Sequence, residues 1–262
     1  MLAAPRAGFL PRQFISAAVS LIIVLAGAGS ALGGAQETGT EPEIPHFREI
    51  SALSELKHSF DSDAEFSIGG GAAAFDCDGD KDADLFVAGG NAVAGLFRNM
   101  YEPGTPLKFE NISVNLGLRD ADSRRASGGY ALDFDNDGDV DLFVMRFGQN
   151  WLLENDGNCN FAVSEQAALP QMDERTTAFA AGWMNEGPFP DLFVGNHVTP
   201  AQEPGATGQC DASYVHVPVE GDAPDYSRVK PLAPSYCPLS YLLVDWSGHG
   251  RFDLRASNDI TA

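Results

Sequence analysis

The sequence predicts an all-β fold, a β-propeller assembled from blades of four short strands. Three observations indicate this class. Loops dense in aspartate are followed by short apolar runs of β-forming residues such as Leu-Phe-Val. The motif that ends each loop recurs at residues 84, 141, 191 and 253, so that the intervals are 57, 50 and 62 residues. No extended helical periodicity competes with these runs, and a four-stranded repeat of this length is typical of a propeller blade.

Aligning the chain on this motif gives four repeat units. An apolar strand precedes each loop and another follows it, and two further strands begin near Leu96 and Phe109 in the first unit. The expected organisation is a signal peptide at 1–35, an N-terminal segment with a closing strand at 36–66, and repeats at 67–262, with units at about 67–118, 127–170, 177–235 and 239–262.

The fourth unit is about 20 residues shorter than the first, so we expect an incomplete propeller of about four units. We favour a fragment or a truncated gene product; the alternative is a small four-bladed propeller in which a strand at residues 47–51 pairs with the last unit and closes the ring. Residues 50–58 are expected to form one or two helical turns. Missing blades would leave an exposed sheet edge.

The acidic residues are concentrated in two of the loops, loop one at residues 76–84 and loop two at residues 133–141. Each loop holds five aspartates at alternate positions within nine residues, so ten of the 37 acidic residues occupy 18 positions. Like charges at this density repel one another strongly unless a cation neutralises them. The predicted metal ligands are Asp76, Asp78, Asp80, Asp82, Asp84, Asp133, Asp135, Asp137, Asp139 and Asp141.

Calcium suits this spacing because the ion takes about six to eight oxygen ligands at about 2.3–2.6 Å in flexible geometry. Carboxylates at positions 1, 3, 5 and 9 can converge on one ion. The residues at position 7, Asp82 and Asp139, would contribute mainly through their main-chain carbonyls. The sequence therefore predicts two Ca²⁺ sites, and the alternative for each loop is a solvated acidic turn without metal.

The residues between the aspartates must allow the chain to turn sharply. Gly79 and Gly138 do so, and Asn136 tolerates the left-handed conformation. Lys81 stands where loop two has Gly138, which makes loop one less suited to the turn. An EF-hand is excluded, because position 12 is valine in both loops and the flanking segments read as strands rather than helices.

The third and fourth copies of the loop have lost most of these ligands. The third copy keeps Asp191 at position 9, and the fourth keeps Asp245 and Asp253 but has His249 where a hard oxygen ligand is needed. We therefore expect metal-free hairpins in both copies.

The N-terminus has the pattern of a secretory signal peptide. Two arginines precede an uncharged apolar run and then small residues at the expected cleavage point, within residues 1–35. The alternative is an uncleaved membrane anchor, since the uncharged run at 13–36 is long enough to span a bilayer. We favour cleavage and secretion, to the extracellular space or the periplasm.

Export would place the four cysteines in an oxidising compartment, where disulfides persist. Four cysteines allow three pairings, and sequence alone does not choose among them. We predict Cys210–Cys237, because both lie in a loop-rich stretch with Pro and Gly nearby; the alternative is four free thiols. A zinc site is not expected, since no Cys-x-x-Cys pair occurs.

These motifs resemble the FG-GAP/VCBS repeat family, whose blades carry Asp-rich calcium loops ending in Asp-Leu. The fuller pattern over residues 45–262 is similar to the secreted family of cartilage acidic protein 1, which is associated with an ASPIC/UnbV module. That likeness includes the Gly-Gly-Gly-Ala-Ala-Ala-Phe run before loop one, the Leu-Phe-Arg-Asn strand after it and the Phe-Glu-Asn-Ile-Ser segment that ends the unit. The resemblance implies a propeller with Ca²⁺ in the matching loops; the ASPIC/UnbV module itself is missing from this sequence.

Function is predicted as a secreted, calcium-binding β-propeller that serves as a binding or adhesion module for a protein or glycan ligand, not as an enzyme. The net charge of −21 argues against nucleic acid or an anionic membrane as the main partner. The alternative is an extracellular polysaccharide lyase or hydrolase on a propeller scaffold. No sequence motif supports this enzymatic alternative. None of the five histidines lies in a catalytic signature, and the dense carboxylates are already assigned to calcium.

Overall fold

A computed structural model describes most of the chain from residue 46 onwards. The described residues are 46–61, 68–165, 167, 169–170, 172, 174–199, 209–219, 221–234 and 236–259. The chain divides into two units, residues 1–47 and 48–262, and the fold described below belongs to the second. The predicted signal peptide at 1–35 lies outside the described residues.

A short helix stands where the sequence predicted a helical turn. This helix, α1 (Ser51–Ser54), is closed by backbone hydrogen bonds to the carbonyl of Ile50. The prediction of a closing strand at residues 47–51 is wrong, since the described residues before the helix have no regular structure. The Glu49 carboxylate accepts a hydrogen bond from the Ser51 N–H (2.7 Å), so a donor that a strand would offer to a neighbour is satisfied locally.

The first repeat unit is a four-stranded antiparallel sheet in which sequence neighbours pair. Its strands are β1 (Ala72–Phe75), β2 (Asp84–Val87), β3 (Gly95–Asn99) and β4 (Phe109–Asn111). Loop one joins β1 to β2, and the register places Phe75 opposite Asp84 at the mouth of the loop. A 3₁₀ turn (Ser113–Leu116) and a second short helix, α2 (Asp120–Ser123), lead to the next unit.

The second and third units share one larger antiparallel sheet. Its strands and an inserted hairpin are, in chain order, β5 (Ala126–Leu132), β6 (Asp141–Gly148), β7 (Trp151–Asn155), β8 (Phe161–Val163), β9 (Glu174–Gly182), β10 (Asp191–Asn196), β11 (Val198–Thr199), β12 (Gln209–Cys210), β13 (Ser213–His216) and β14 (Val229–Leu232). Strands β5 to β8 form the second unit, β9, β10, β13 and β14 form the third, and β11 pairs with β12 as a separate hairpin. The end of β6 pairs with the start of β9 and joins the two units.

The fourth unit consists of two described strands, β15 (Pro238–Val244) and β16 (Asp253–Asn258), paired with each other. The all-β, antiparallel fold and the four-stranded repeat are thus confirmed in the first three units. No sheet closes on itself among the described strands, so ring closure remains a prediction. None of the helices in the described part of the chain is long and apolar enough to cross a membrane.

Among the residues that the structure describes, the core consists of two apolar clusters. The first packs residues of the first unit, such as Phe86 and Leu96, against residues of the second, such as Leu142 and Leu153. A Cβ atom on Gly129 would lie 2.4 Å from the Phe86 ring, so only glycine allows β5 to approach this closely. The second cluster joins the second and third units and includes the rings of two phenylalanines, on β6 and β9, stacked 4.0 Å apart. Adjacent units therefore share core rather than standing separately.

Candidate metal sites

Loop one is wound around the carboxylate of its first aspartate. Asp76 Oδ1 accepts a hydrogen bond from the Gly79 N–H and Oδ2 accepts one from the Lys81 N–H, both at 2.8 Å. Positions four and six of the loop are left-handed, with φ of 78° at Gly79 and 77° at Lys81. The expectation that Lys81 is poorly suited to its position is therefore confirmed, since a lysine here holds a conformation that favours glycine.

Loop two repeats this arrangement. Asp133 accepts hydrogen bonds from the N–H groups of Asn136 (2.6 Å) and Gly138 (3.2 Å). These residues have φ of 64° and 99°, as predicted for positions four and six. The two loops therefore form the same turn, with the first aspartate as acceptor and left-handed residues at positions four and six.

The ninth aspartate of each loop is buried and fastens the loop to the sheet. In loop one, Asp84 accepts hydrogen bonds from the N–H of Cys77 (2.9 Å) and from that of Asn99 at the end of β3 (2.8 Å). In loop two, Asp141 accepts the corresponding bonds from Phe134 (3.2 Å) and from Asn155 at the end of β7 (2.9 Å). The asparagine that ends the third strand of the unit is thus a structural partner of the loop.

Six of the ten predicted ligands converge in two clusters. In each cluster the carboxylates at positions 1, 3 and 9 offer oxygen atoms that all lie within 4.8 Å of one another. The clusters are Asp76 with Asp78 and Asp84, and Asp133 with Asp135 and Asp141. The aspartates at positions 5 and 7 are not members of either cluster. The carboxylates at position 5 instead accept the N–H of position 7, at 2.8 Å in loop one and 2.9 Å in loop two.

Both clusters are electrostatically unfavourable as bare carboxylates. Burial raises the pKa of Asp141 to about 8, against two backbone hydrogen bonds that lower it, and the charges of Asp135 and Asp137 raise it further. Burial also raises the pKa of Asp84 and of Asp135. A bound cation acts in the opposite direction, because it stabilises the ionised form of each ligand.

The donor set fits calcium in its chemistry. It consists of carboxylate oxygens, which are the ligands that hard cations prefer. One of them, Asp78 Oδ1, is buried and has no hydrogen-bond partner within the described part of the chain. The two cysteines near Asp84 are not available as ligands, since both sulfurs belong to a disulfide.

That disulfide, Cys77–Cys159, links loop one to the turn between β7 and β8. The Cys159 N–H donates to the Cys77 carbonyl (3.1 Å), which also accepts from Asn155 Nδ2 (2.8 Å). The second disulfide is Cys210–Cys237, as predicted. The first was not predicted, because Cys77 and Cys159 are 82 residues apart and belong to different repeat units.

The third and fourth copies of the loop differ from the first two. In the third, buried Asp191 accepts hydrogen bonds from the Met184 N–H (3.3 Å) and Asn185 Nδ2 (3.1 Å). Burial raises its pKa, while the charges of Lys230 and Arg228 act to lower it. Within the described residues neither copy forms a cluster of three acidic, His or Cys ligands.

The sheets and loops define an all-β chain of repeated four-stranded units with aspartate-rich loops. Residues 133–196, from the first aspartate of loop two to the end of β10, match the model of a family described as FG-GAP-like repeat. This part of the chain is therefore similar to an FG-GAP-like repeat, as the sequence pattern indicated. None of the curated proteins matches the chain.

Proposed function

We propose that this chain is a secreted, calcium-stabilised β-propeller that acts as a binding or adhesion module. The observation that carries the proposal is the convergence of three carboxylates at positions 1, 3 and 9 in each of two loops. The family match over residues 133–196 supports it, since FG-GAP-like repeats suggest a domain of the binding or adhesion type.

Asp76, Asp78 and Asp84 would hold one Ca²⁺, and the matching residues of loop two a second. The oxygen atoms of positions 5 and 7 would complete each site, as the sequence pattern predicts. The ion would supply positive charge at the point where carboxylate repulsion is greatest. Its role is structural, because a metal that binds the folded loop and not the unfolded chain stabilises the fold.

The propeller architecture is supported by the strand order. Each of the first three units pairs its strands in sequence order, apart from the inserted hairpin, and neighbouring units share an apolar core. This arrangement is the one expected of propeller blades. A relationship to the secreted family of cartilage acidic protein 1 is the finer proposal, and it rests on the sequence motifs that extend beyond the matched repeat.

Secretion is supported by the two disulfides, which persist in oxidising compartments. The signal-like N-terminal pattern agrees with this proposal. The ligand is proposed to be a protein or a glycan; the acidic surface disfavours nucleic acid.

Thermal unfolding with and without calcium tests the proposal. Two sites occupied at about 100 times their dissociation constants would raise the melting temperature by about 10 °C or more relative to chelator. Asp133→Asn should reduce this difference, whereas Asp222→Asn, which removes the same charge from an exposed turn, should leave it unchanged. Identical melting curves in calcium and in chelator would contradict a structural role for the metal.

A pair of assays on the same polysaccharides separates a binding module from an enzyme. We expect any glycan that is retained by the immobilised full chain to be recovered with unchanged chain length. Depolymerisation above the rate of a heat-denatured sample would overturn the proposal of a non-catalytic module.

A further inference from the structure

The two units differ in the charge of one residue, which lies at the same place on the third strand of each unit. The register pairs Leu85 with Phe97 in the first unit and Leu142 with Leu153 in the second. The next residue along the third strand is therefore equivalent in the two units, and it is Arg98 in the first and a glutamate, residue 154, in the second. In both units the following residue is the asparagine whose N–H bonds the ninth aspartate.

Arg98 is turned towards the loop one cluster. Its Nε lies 3.3 Å from Asp78 Oδ2, and the two side chains are only 29% and 19% exposed. A second guanidinium nitrogen donates to the carbonyl of Asn158 (3.0 Å), which fixes the side chain against the neighbouring unit. A half-buried ion pair of this kind is screened less by solvent than one on an open surface.

Glu154 has the opposite effect at loop two. Glu154 stands on β7 at the place equivalent to Arg98, directly before the asparagine whose N–H bonds Asp141, so that a carboxylate replaces the guanidinium there. Glu154 itself accepts a hydrogen bond from Ser164 Oγ (2.5 Å), a neutral donor that leaves its charge in place. The residue at this place on the third strand therefore has a positive charge in the first unit and a negative charge in the second.

Other charges near the loops preserve this difference. Position six is Lys81 in loop one and Gly138 in loop two, so loop one has a further cation. Strand β4 places the exposed Glu110 opposite Arg98, and β8 places Ala162 opposite Glu154. Counting the five aspartates of each loop with these neighbours, loop one has a formal charge of −4 and loop two a charge of −6.

We propose that Arg98 is a built-in counter-ion of the loop one cluster, so that calcium binds loop two first and loop one more weakly. A divalent cation at loop one has to displace or tolerate the guanidinium that contacts Asp78, whereas at loop two it meets an additional carboxylate. The inference rests on the proposed calcium function, and it makes Arg98 and Glu154 the residues that set the affinity of each site.

Calorimetric titration of the full chain with CaCl₂, after treatment with chelator, tests the order of binding. We expect two steps of unequal affinity. Asp135→Asn should remove the tighter step and Asp78→Asn the weaker one. Loss of the tighter step in Asp78→Asn would overturn the inference while leaving the proposed function intact. A titration without any binding would overturn both.

Charge substitutions test whether Arg98 and Glu154 cause the difference in calcium affinity between the two loops. Arg98→Gln should tighten the weaker step about tenfold, and Glu154→Gln should weaken the tighter step by a similar factor. Arg98→Lys keeps the charge and should leave the weaker step weak. Arg251→Gln, which removes an exposed arginine from the loop of the fourth unit, is the matched control. A change of less than about threefold in Arg98→Gln, with circular dichroism confirming the fold, would overturn the counter-ion role.

Discussion

At the scale of single residues, the turn of each loop depends on local hydrogen bonds and not on how many acidic residues the loop contains. The fourth copy shows this, because Asp245 accepts the N–H groups of His249 (3.0 Å) and Gly250 (2.7 Å) although His249 replaces an aspartate. Gly248 and Gly250 are left-handed there, with φ of 68° and 73°, as positions four and six are in loops one and two. One aspartate at position 1 and two left-handed residues are therefore enough to form the turn.

Lys81 offers a direct test of this backbone requirement. Lys81→Gly should stabilise the chain by about 1 kcal/mol, because it relieves a left-handed lysine and keeps the N–H that bonds Asp76. Urea unfolding in chelator measures the effect apart from metal binding. Gly138→Ala at the same position of loop two should have the opposite sign. A Cβ there would meet no atom within 4 Å, so the cost is confined to the backbone.

The carboxyl group of Glu174 should make the stability of the fold depend on pH, independently of the loops. Burial raises the pKa of this carboxyl to about 7 from its ordinary 4.5, although a hydrogen bond from Tyr214 acts to lower it. The neutral form is thus favoured in the folded chain, so its stabilisation is complete below pH 4.5 and is lost as the pH rises through about 7. With calcium saturating, the melting temperature of the native chain should fall over this range relative to Glu174→Gln. Parallel curves for the two proteins would contradict the assignment.

At the scale of elements, the repeat unit couples each loop to its sheet. The ninth aspartate accepts one hydrogen bond from inside the loop and one from the end of the third strand, in both loop one and loop two. The disulfide Cys77–Cys159 adds a covalent link between loop one and the second unit. Loop geometry therefore depends on strand pairing in its own unit and, for loop one, on the next unit as well.

Removing the two disulfides should have different consequences. Replacing both Cys77 and Cys159 by Ala should destabilise the chain by about 4 kcal/mol in urea unfolding and weaken calcium binding at loop one. Replacing both Cys210 and Cys237 should cost about 3–4 kcal/mol and leave calcium binding unchanged. Equal effects of the two double variants on calcium affinity would contradict a specific link to loop one.

The sequence was sufficient to predict features that depend on local pattern. The alternating aspartates and the glycines between them predicted the turns, and the repeated Asp-Leu-Phe-Val predicted the strand that follows each loop. Features that depend on contacts across units were not predictable in this way. The Cys77–Cys159 pair is one such feature, and the approach of Arg98 to Asp78 is another, because both require knowing how separate strands are placed.

At the scale of the whole molecule, part of the negative charge of the chain is concentrated in loops one and two. The formal net charge is −21, ten aspartates lie in the two loops, and six of their carboxylates converge in two clusters. Two calcium ions would change the net charge to −17 and would neutralise it where repulsion is greatest. The remaining negative charge keeps nucleic acid an unfavourable partner.

The number of calcium ions bound per chain tests the central claim most directly. Native mass spectrometry of the full chain, first stripped with chelator and then saturated with calcium, measures it. We expect two ions, one of which is lost in Asp78→Asn and the other in Asp135→Asn. A chain that binds no calcium, or that still binds two ions when both substitutions are combined, would contradict the assignment of the metal to these loops.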